Sequence, residues 1–175
     1  SNFDLIFDSA IDDVIWGTDA ADTINGTAAN EMILGFDGDD VINAGAGDDI
    51  IIAGAGVDSI TTGSGSDVVV FRPGDLGSAL TTDVVNDFGF GDDRIDLTAY
   101  SDALGINISD INISTNPFII GVFVLYDDPS QPSFDFAIQI ESNGMDLTDI
   151  ADEHFIFSIN GSAGNDIINT TTASN

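Results

Sequence analysis

The sequence predicts an all-β chain: a parallel stack of very short strands, wound two to a coil, closed by a second all-β unit. Three observations carry that prediction. Acidic residues return at every ninth position, at Asp4, Asp13, Asp22, Glu31, Asp40, Asp49, Asp58 and Asp67. A branched aliphatic stands two residues after each, at Ile6, Ile15, Ile24, Ile33, Ile42, Ile51, Ile60 and Val69. Glycine collects in the stretches between these triplets, most densely in the later ones. With 31 acidic residues among 175, this phasing has a chance probability of about one in a million, so the period belongs to the fold and not to composition.

Composition narrows the chemistry. The hydrophobic fraction of 43% supports a packed core and argues against disorder. The acidic residues are opposed only by Arg72 and Arg94, and the net charge is −29. A compact chain with that charge repels itself unless counter-ions bind. Nucleic acid and anionic membrane surfaces need basic patches and are excluded as partners, which leaves multivalent cations. The absence of cysteine removes disulfides, thiol catalysis and zinc–thiolate sites. No apolar run reaches the roughly 18 residues of a membrane-spanning helix. The start at Ser1-Asn2, without methionine, reads as a cut in a longer chain, so the missing leader is uninformative.

In order along the chain, the weak units ending at Phe7 and spanning 8–16 come first. GTDAADTIN (17–25), GTAANEMIL (26–34), GFDGDDVIN (35–43), AGAGDDIII (44–52), AGAGVDSIT (53–61) and TGSGSDVVV (62–70) follow. The first six residues of each are turn chemistry, because glycine reaches positive φ without steric cost. The last three form a short strand whose central aliphatic points one way. One such unit cannot bury its isoleucine, but stacked units can, with strands about 4.8 Å apart. A two-strand coil uses two nonapeptides, so repeats n and n+2 lie directly over one another. Asp22, Asp40 and Asp58 then line one edge, and Glu31, Asp49 and Asp67 line the other. Carboxylates stacked so closely call for a cation between them. Calcium suits the gap, being a hard ion that takes six to eight oxygens, whereas magnesium demands tighter octahedral geometry.

The pattern Gly-Gly-x-Gly-x-Asp-x-aliphatic-x resembles the RTX, or haemolysin-type, calcium-binding repeats, which form a right-handed parallel β-roll. Repeats 35–43 through 62–70 match it best. Ala44, Ala53 and Thr62 depart from it at the first glycine, Ala20 and Ala29 at the second inner glycine, and Glu31 at the aspartate. The resemblance implies several Ca2+ ions, each held between the turns of repeats n and n+2. The pairs expected to bind are Asp40 with Asp58 and Asp49 with Asp67, with Asp22 and Asp40 as a weaker third. Carried onto this sequence, the metal-binding set is Asp22, Gly35, Asp37, Gly38, Asp40, Gly45, Gly47, Asp49, Gly54, Gly56, Asp58, Gly63, Gly65 and Asp67. Asp93, with Asp87 and Asp96 near it, is a candidate for a further ion at the junction after the repeats.

From residue 71 the nine-residue period stops. The sequence predicts strands at 83–88, 95–98, 118–126, 134–141 and 155–157, and one short helix or turn within 101–112. Phe134, Phe136, Ile138 and Ile140 alternate as an inward face, and a segment with Pro129 and Pro132 joins two of the strands as a hairpin. The series VFRPGD, DVVNDFGFGDDRIDLTAY and MDLTDIADEHFIF resembles the small β-sandwich-like cap that follows RTX repeats in type I secreted proteins such as serralysin-type proteases. The expected organisation is therefore a roll at 1–70, a capping unit at 71–157, and at 158–175 a further RTX-like repeat (161–169) with a tail.

Catalytic chemistry is not indicated. His154 is the only histidine, no nucleophile motif accompanies it, and no HExxH, P-loop or dinucleotide fingerprint is present. The paired carboxylates repeat at a fixed spacing, which marks structure, since an active site would interrupt the repeat. The resemblance implies a non-enzymatic module of a secreted, extracellular bacterial protein, exported by type I secretion machinery and folding on extracellular calcium. Two rival readings stand beside it. One is a calcium-dependent adhesion or carbohydrate-binding module, recognising an extracellular polysaccharide or cell surface. The other is the non-catalytic C-terminal domain of a secreted protease or epimerase.

Overall fold

The computed structural model describes residues 11–76, 82–88, 93–104, 111–115, 122–126, 136–140 and 155–156. The strands of the repeats are β1 (Asp13–Trp16), β2 (Thr23–Asn25), β3 (Glu31–Asp37), β4 (Val41–Asn43), β5 (Ile50–Ala55), β6 (Ser59–Thr61) and β7 (Val68–Val70). Beyond them come β8 (Asp83–Val85), β9 (Arg94–Asp96), the helix α1 (Thr98–Leu104), β10 (Ile111–Thr115), β11 (Val122–Tyr126), β12 (Phe136–Ile140) and β13 (Phe155–Ile156). Odd strands through β9, then β13, form one sheet in the order β1-β3-β5-β7-β9-β13. The other sheet runs β10-β11-β12-β8-β6-β4-β2.

Nonapeptide strands alternate between the two sheets because each turn reverses the chain. Residues pair with those 18 positions on: Ile15 with Ile33, Ile33 with Ile51, Ile24 with Ile42 and Ile42 with Ile60, all in parallel. The strand pleat turns every central aliphatic inward. Ile33, Ile42, Ile51, Ile60 and Val69 are fully buried as a result, while Ile24 keeps 6% exposure. Each such side chain contributes about 1.5–3 kcal/mol on burial.

The stack does not stop where the period stops. β8 pairs in parallel with β6, placing Val85 on Ile60, and β9 pairs with β7, placing Ile95 on Val69. Both added aliphatics are fully buried. β12 then pairs in parallel with β8, and β13 with β9. β10, β11 and β12 form an antiparallel meander at the edge of the second sheet, so the expected pairing between the strands ending at Tyr126 and Ile140 is present. Phe71, Phe88 and Leu97, with the largely buried Leu76 and Tyr100, fill the space between the sheets at this end. Ile138 and Ile140 are buried as the alternation predicts.

The helix lies earlier than the sequence placed it. It begins at Thr98, whose N–H donates to Asp96 Oδ1 (2.8 Å), an Asx turn that redirects the chain straight out of β9. The end of the interval expected to hold helix or turn is instead the start of β10. Asp4, Ile6, Met145–Ile150, His154 and the repeat at 161–169 lie outside the described residues.

Ile51→Ala, which empties a fully buried position in a central strand, should lower stability by about 2–5 kcal/mol in denaturant unfolding with calcium present. Val41→Ala, at a half-exposed position, should change it by less than about 0.5 kcal/mol.

Candidate metal centre

The two turn edges of the roll carry two carboxylate columns. Asp22 N–H donates to Asp40 Oδ1 (2.8 Å), Asp40 N–H to Asp58 Oδ1 (2.8 Å), and Asp58 N–H to Asp83 Oδ1 (2.8 Å). On the opposite edge Glu31 N–H donates to Asp49 Oδ1 (2.8 Å), Asp49 N–H to Asp67 Oδ1 (2.9 Å), and Asp67 N–H to Asp93 Oδ1 (3.0 Å). Each carboxylate thus reaches back with one oxygen to the turn two repeats earlier. The preceding residue makes an outer ladder in the other direction: Asp48 N–H donates to Asn30 Oδ1 (2.8 Å) and Ser66 N–H to Asp48 Oδ1 (2.9 Å). The Asp48–Asp49 pair therefore clamps its turn both ways along the stack.

The second oxygen of the inner aspartates is what makes these columns a site. Oδ2 of Asp40, Asp49, Asp58, Asp67 and Asp83 is buried and has no hydrogen-bond partner. All five residues are at most 1% exposed. A buried, ionised and unpartnered carboxylate oxygen costs several kcal/mol unless it takes up a proton or a cation.

The protonation behaviour follows from that burial. Loss of solvent pushes Asp49 up to about 6, with the charges of Glu31 and Asp48 adding to the effect. Burial likewise pushes Asp58 up to about 6 and raises Asp40. Burial raises Asp67 to about 7, supported by the neighbouring charges of Asp93, Asp49 and Asp48. Asp83 also reaches about 7, by burial first and then by the charges of Asp58, Asp75 and Asp39.

Backbone carbonyls of neighbouring turns close on the turn glycines. A β-carbon on Gly54 would run into the Phe36 carbonyl oxygen, and one on Gly65 into the Gly47 carbonyl oxygen. Both glycines have left-handed φ, 104° and 143°. Gly38, Gly45, Gly47, Gly56 and Gly63 share that conformation. At Gly35 a β-carbon would meet both the Ala53 carbonyl and Asp40 Oδ2, so only glycine leaves that space open. Among the described residues no three His, Cys, Asp or Glu side chains form a metal cluster. An ion here would draw on two carboxylates and on carbonyls, an all-oxygen set that fits calcium and offers nothing to a soft metal.

The expected residues fall into distinct surroundings. The structure brings Asp40 over Asp58 and Asp49 over Asp67. Asp37 is exposed at the end of β3. Asp22 Oδ2 accepts from both the N–H and the hydroxyl of Thr18, each at 2.7 Å. Asp93 closes its column, with Oδ2 lying 3.1 Å from the Thr62 hydroxyl. Asp87 accepts from the N–H groups of Thr62 (2.7 Å) and Gly63 (3.0 Å), and Asp96 starts the helix. Asp83 was not foreseen. It stands 25 residues from Asp58, and Asp93 stands 26 from Asp67, because inserted loops break the count. Their signal is the preserved Asp-x-aliphatic triplet, Asp83-Val84-Val85 and Asp93-Arg94-Ile95.

Comparison with known proteins agrees with this geometry. A family model described as the RTX calcium-binding nonapeptide repeat (4 copies) matches residues 2–33, 34–69 and 158–171. Among solved structures, the AlgE6R2 subunit of the Azotobacter vinelandii mannuronan C5-epimerase is 24% identical with a TM-score of 0.65. That match covers 82% of this chain and 91% of the other. The AlgE6R3 subunit of the same enzyme is also 24% identical, with a TM-score of 0.66 over 91% of this chain and 92% of that one. No curated protein matches. Residues 2–69 and 158–171 are thus similar to the RTX calcium-binding nonapeptide repeat, and the fold is that of the two subunits.

In chelator, the raised aspartates set a pH dependence. Their folded values of about 6 to 7 lie above the ordinary 3.8, so the stability they contribute is present below about 4 and lost as pH climbs through 7. In chelator, the β signal in circular dichroism should be greater at pH 5 than at pH 8. Calcium, which needs the ionised form, should bind more weakly as pH falls below about 6.

Proposed function

We propose that the RTX repeats make this chain a calcium-dependent folding module of a secreted protein, with Asp40 over Asp58 and Asp49 over Asp67 as principal ion sites. The observation that carries this reading is the row of buried, unpartnered Oδ2 atoms on Asp40, Asp49, Asp58, Asp67 and Asp83. With a net charge of −29, a chain without bound cations repels itself and favours expanded states. At low cytosolic calcium such a chain stays exportable through type I secretion machinery. At extracellular calcium the ions neutralise the columns, and their binding energy becomes folding energy. Residues 1–70 act as the repeat-built part of the roll, 71–157 extend it through β8 and β9 and close its apolar end, and 158–175 carry a further repeat with a tail.

A second reading has one observation in its favour. Trp16 is 65% exposed and stacks on Phe36, which is itself exposed, with ring centroids 6.0 Å apart. The similar subunits come from an enzyme of mannuronan. A calcium-scaffolded module that binds an extracellular polysaccharide through this aromatic pair is the alternative. Calcium-dependent binding on a glycan array, lost in Trp16→Ala, would favour it.

Circular dichroism should show a largely disordered chain in chelator that gains β signal at millimolar calcium. A chain equally β-folded in excess chelator at pH 7.5 would defeat the folding reading.

A further inference from the structure

Two kinds of turn stand side by side in the repeats, and the second residue of the nonapeptide separates them. In the later repeats that residue is Gly45, Gly54 or Gly63, at left-handed φ of 110°, 104° and 97°. Phe36 occupies the same place in its repeat and is the one non-glycine among the described residues with positive φ, at 79°. A bulky residue held there is strained, so the turn conformation is imposed by the stack and not by local preference. The inner aspartates of these repeats, Asp40, Asp49, Asp58 and Asp67, are the ones with an unpartnered oxygen.

Repeats 17–25 and 26–34 differ on both counts. Their second residues are Thr18 and Thr27, whose φ is not left-handed. Thr18 turns its N–H and hydroxyl onto Asp22 Oδ2, each at 2.7 Å. Thr27 N–H donates to Glu31 Oε2 (3.0 Å) and its hydroxyl to Glu31 Oε1, while that hydroxyl accepts from Ala29 N–H (3.2 Å). Glu31 is only 1% exposed, yet both its oxygens are engaged within its own repeat. The longer glutamate side chain reaches back across the turn to a threonine that aspartate reaches with one oxygen.

Building on the calcium reading, we propose that Thr18 and Thr27 close the first two described turns to metal. Their hydroxyls and N–H groups occupy the carboxylate oxygens that calcium takes in the open turns. The module is then divided along its length. Its N-terminal rungs hold together without ions, and calcium is confined to the rungs from Asp40 onward. A threonine at the second position with an acid at the sixth marks a closed turn; glycine at the second position marks an open one. The closed rungs give the open ones a formed edge to grow on as calcium arrives, since in a stacked repeat each unit depends on its neighbour.

Calorimetric titration of the full chain with calcium tests this. Thr18→Gly/Thr27→Gly should bind at least one ion more than the native chain, while Thr18→Ser/Thr27→Ser, which keeps the hydroxyls, should match native stoichiometry. Equal stoichiometry in native, glycine and serine chains would overturn the proposal. If the glycine variant fails to fold, amide exchange on the native chain decides as free calcium is lowered. Protection at Ile24 and Ile33 should outlast that at Ile51 and Ile60 by at least tenfold in calcium concentration; simultaneous or earlier loss at Ile24 and Ile33 overturns it. No calcium uptake by the native chain would instead defeat the folding reading itself.

Discussion

Burial of half-satisfied carboxylates is the constraint on which the structure depends. Each inner aspartate spends one oxygen on the N–H of the turn two repeats earlier, which fixes the 18-residue coil and its register. The same bond draws the other oxygen out of water with nothing to meet it. Five such oxygens, on Asp40, Asp49, Asp58, Asp67 and Asp83, cannot all stay ionised in a dry stack without a cation. The aliphatic column is only one residue wide per strand, so it has little surplus with which to offset that cost. The hydrophobic core sets the shape, and the state of the carboxylates decides whether the shape is populated.

The geometry therefore ties folding to solution conditions at a set of repeated points. On the proposed reading, protons relieve the columns at low pH and calcium relieves them at neutral pH. Because both act on the same oxygens, they compete, and the module reads calcium most sharply where its aspartates are already ionised. Glycine in the turns serves this arrangement directly: at Gly35 a side chain would fill the space into which the Ala53 carbonyl and Asp40 Oδ2 converge, and at Gly54 and Gly65 it would strike the carbonyl of the turn two repeats earlier. Phe36 shows the strength of the constraint, since the stack holds even a phenylalanine in the left-handed region.

Much of this was legible in the sequence because period and chemistry coincide. The return of acid and aliphatic at every ninth residue predicts parallel stacking, the alternation of edges, and the pairing of Asp40 with Asp58 and Asp49 with Asp67. What escaped was whatever breaks the count. Asp83 and Asp93 continue the two columns, but the inserted loops before them move their spacing to 25 and 26, so a fixed period misses Asp83 and names Asp93 only as part of a separate junction, not as the next step of its column. The helix was placed too late because the Asx turn of Asp96 acts over two residues and leaves no apolar periodicity. The closed turns were half visible: Ala20, Ala29 and Glu31 stood out as departures, but the partners of Asp22 and Glu31 depend on side-chain geometry that spacing does not encode.

The proposed folding switch requires calcium to be taken up as the carboxylate columns are buried. The most direct measurement is the unfolding free energy at pH 7.5 as a function of free calcium. It should rise with the logarithm of calcium with a slope corresponding to two or more ions bound on folding. A stability independent of calcium, with the chain folded throughout, would contradict it.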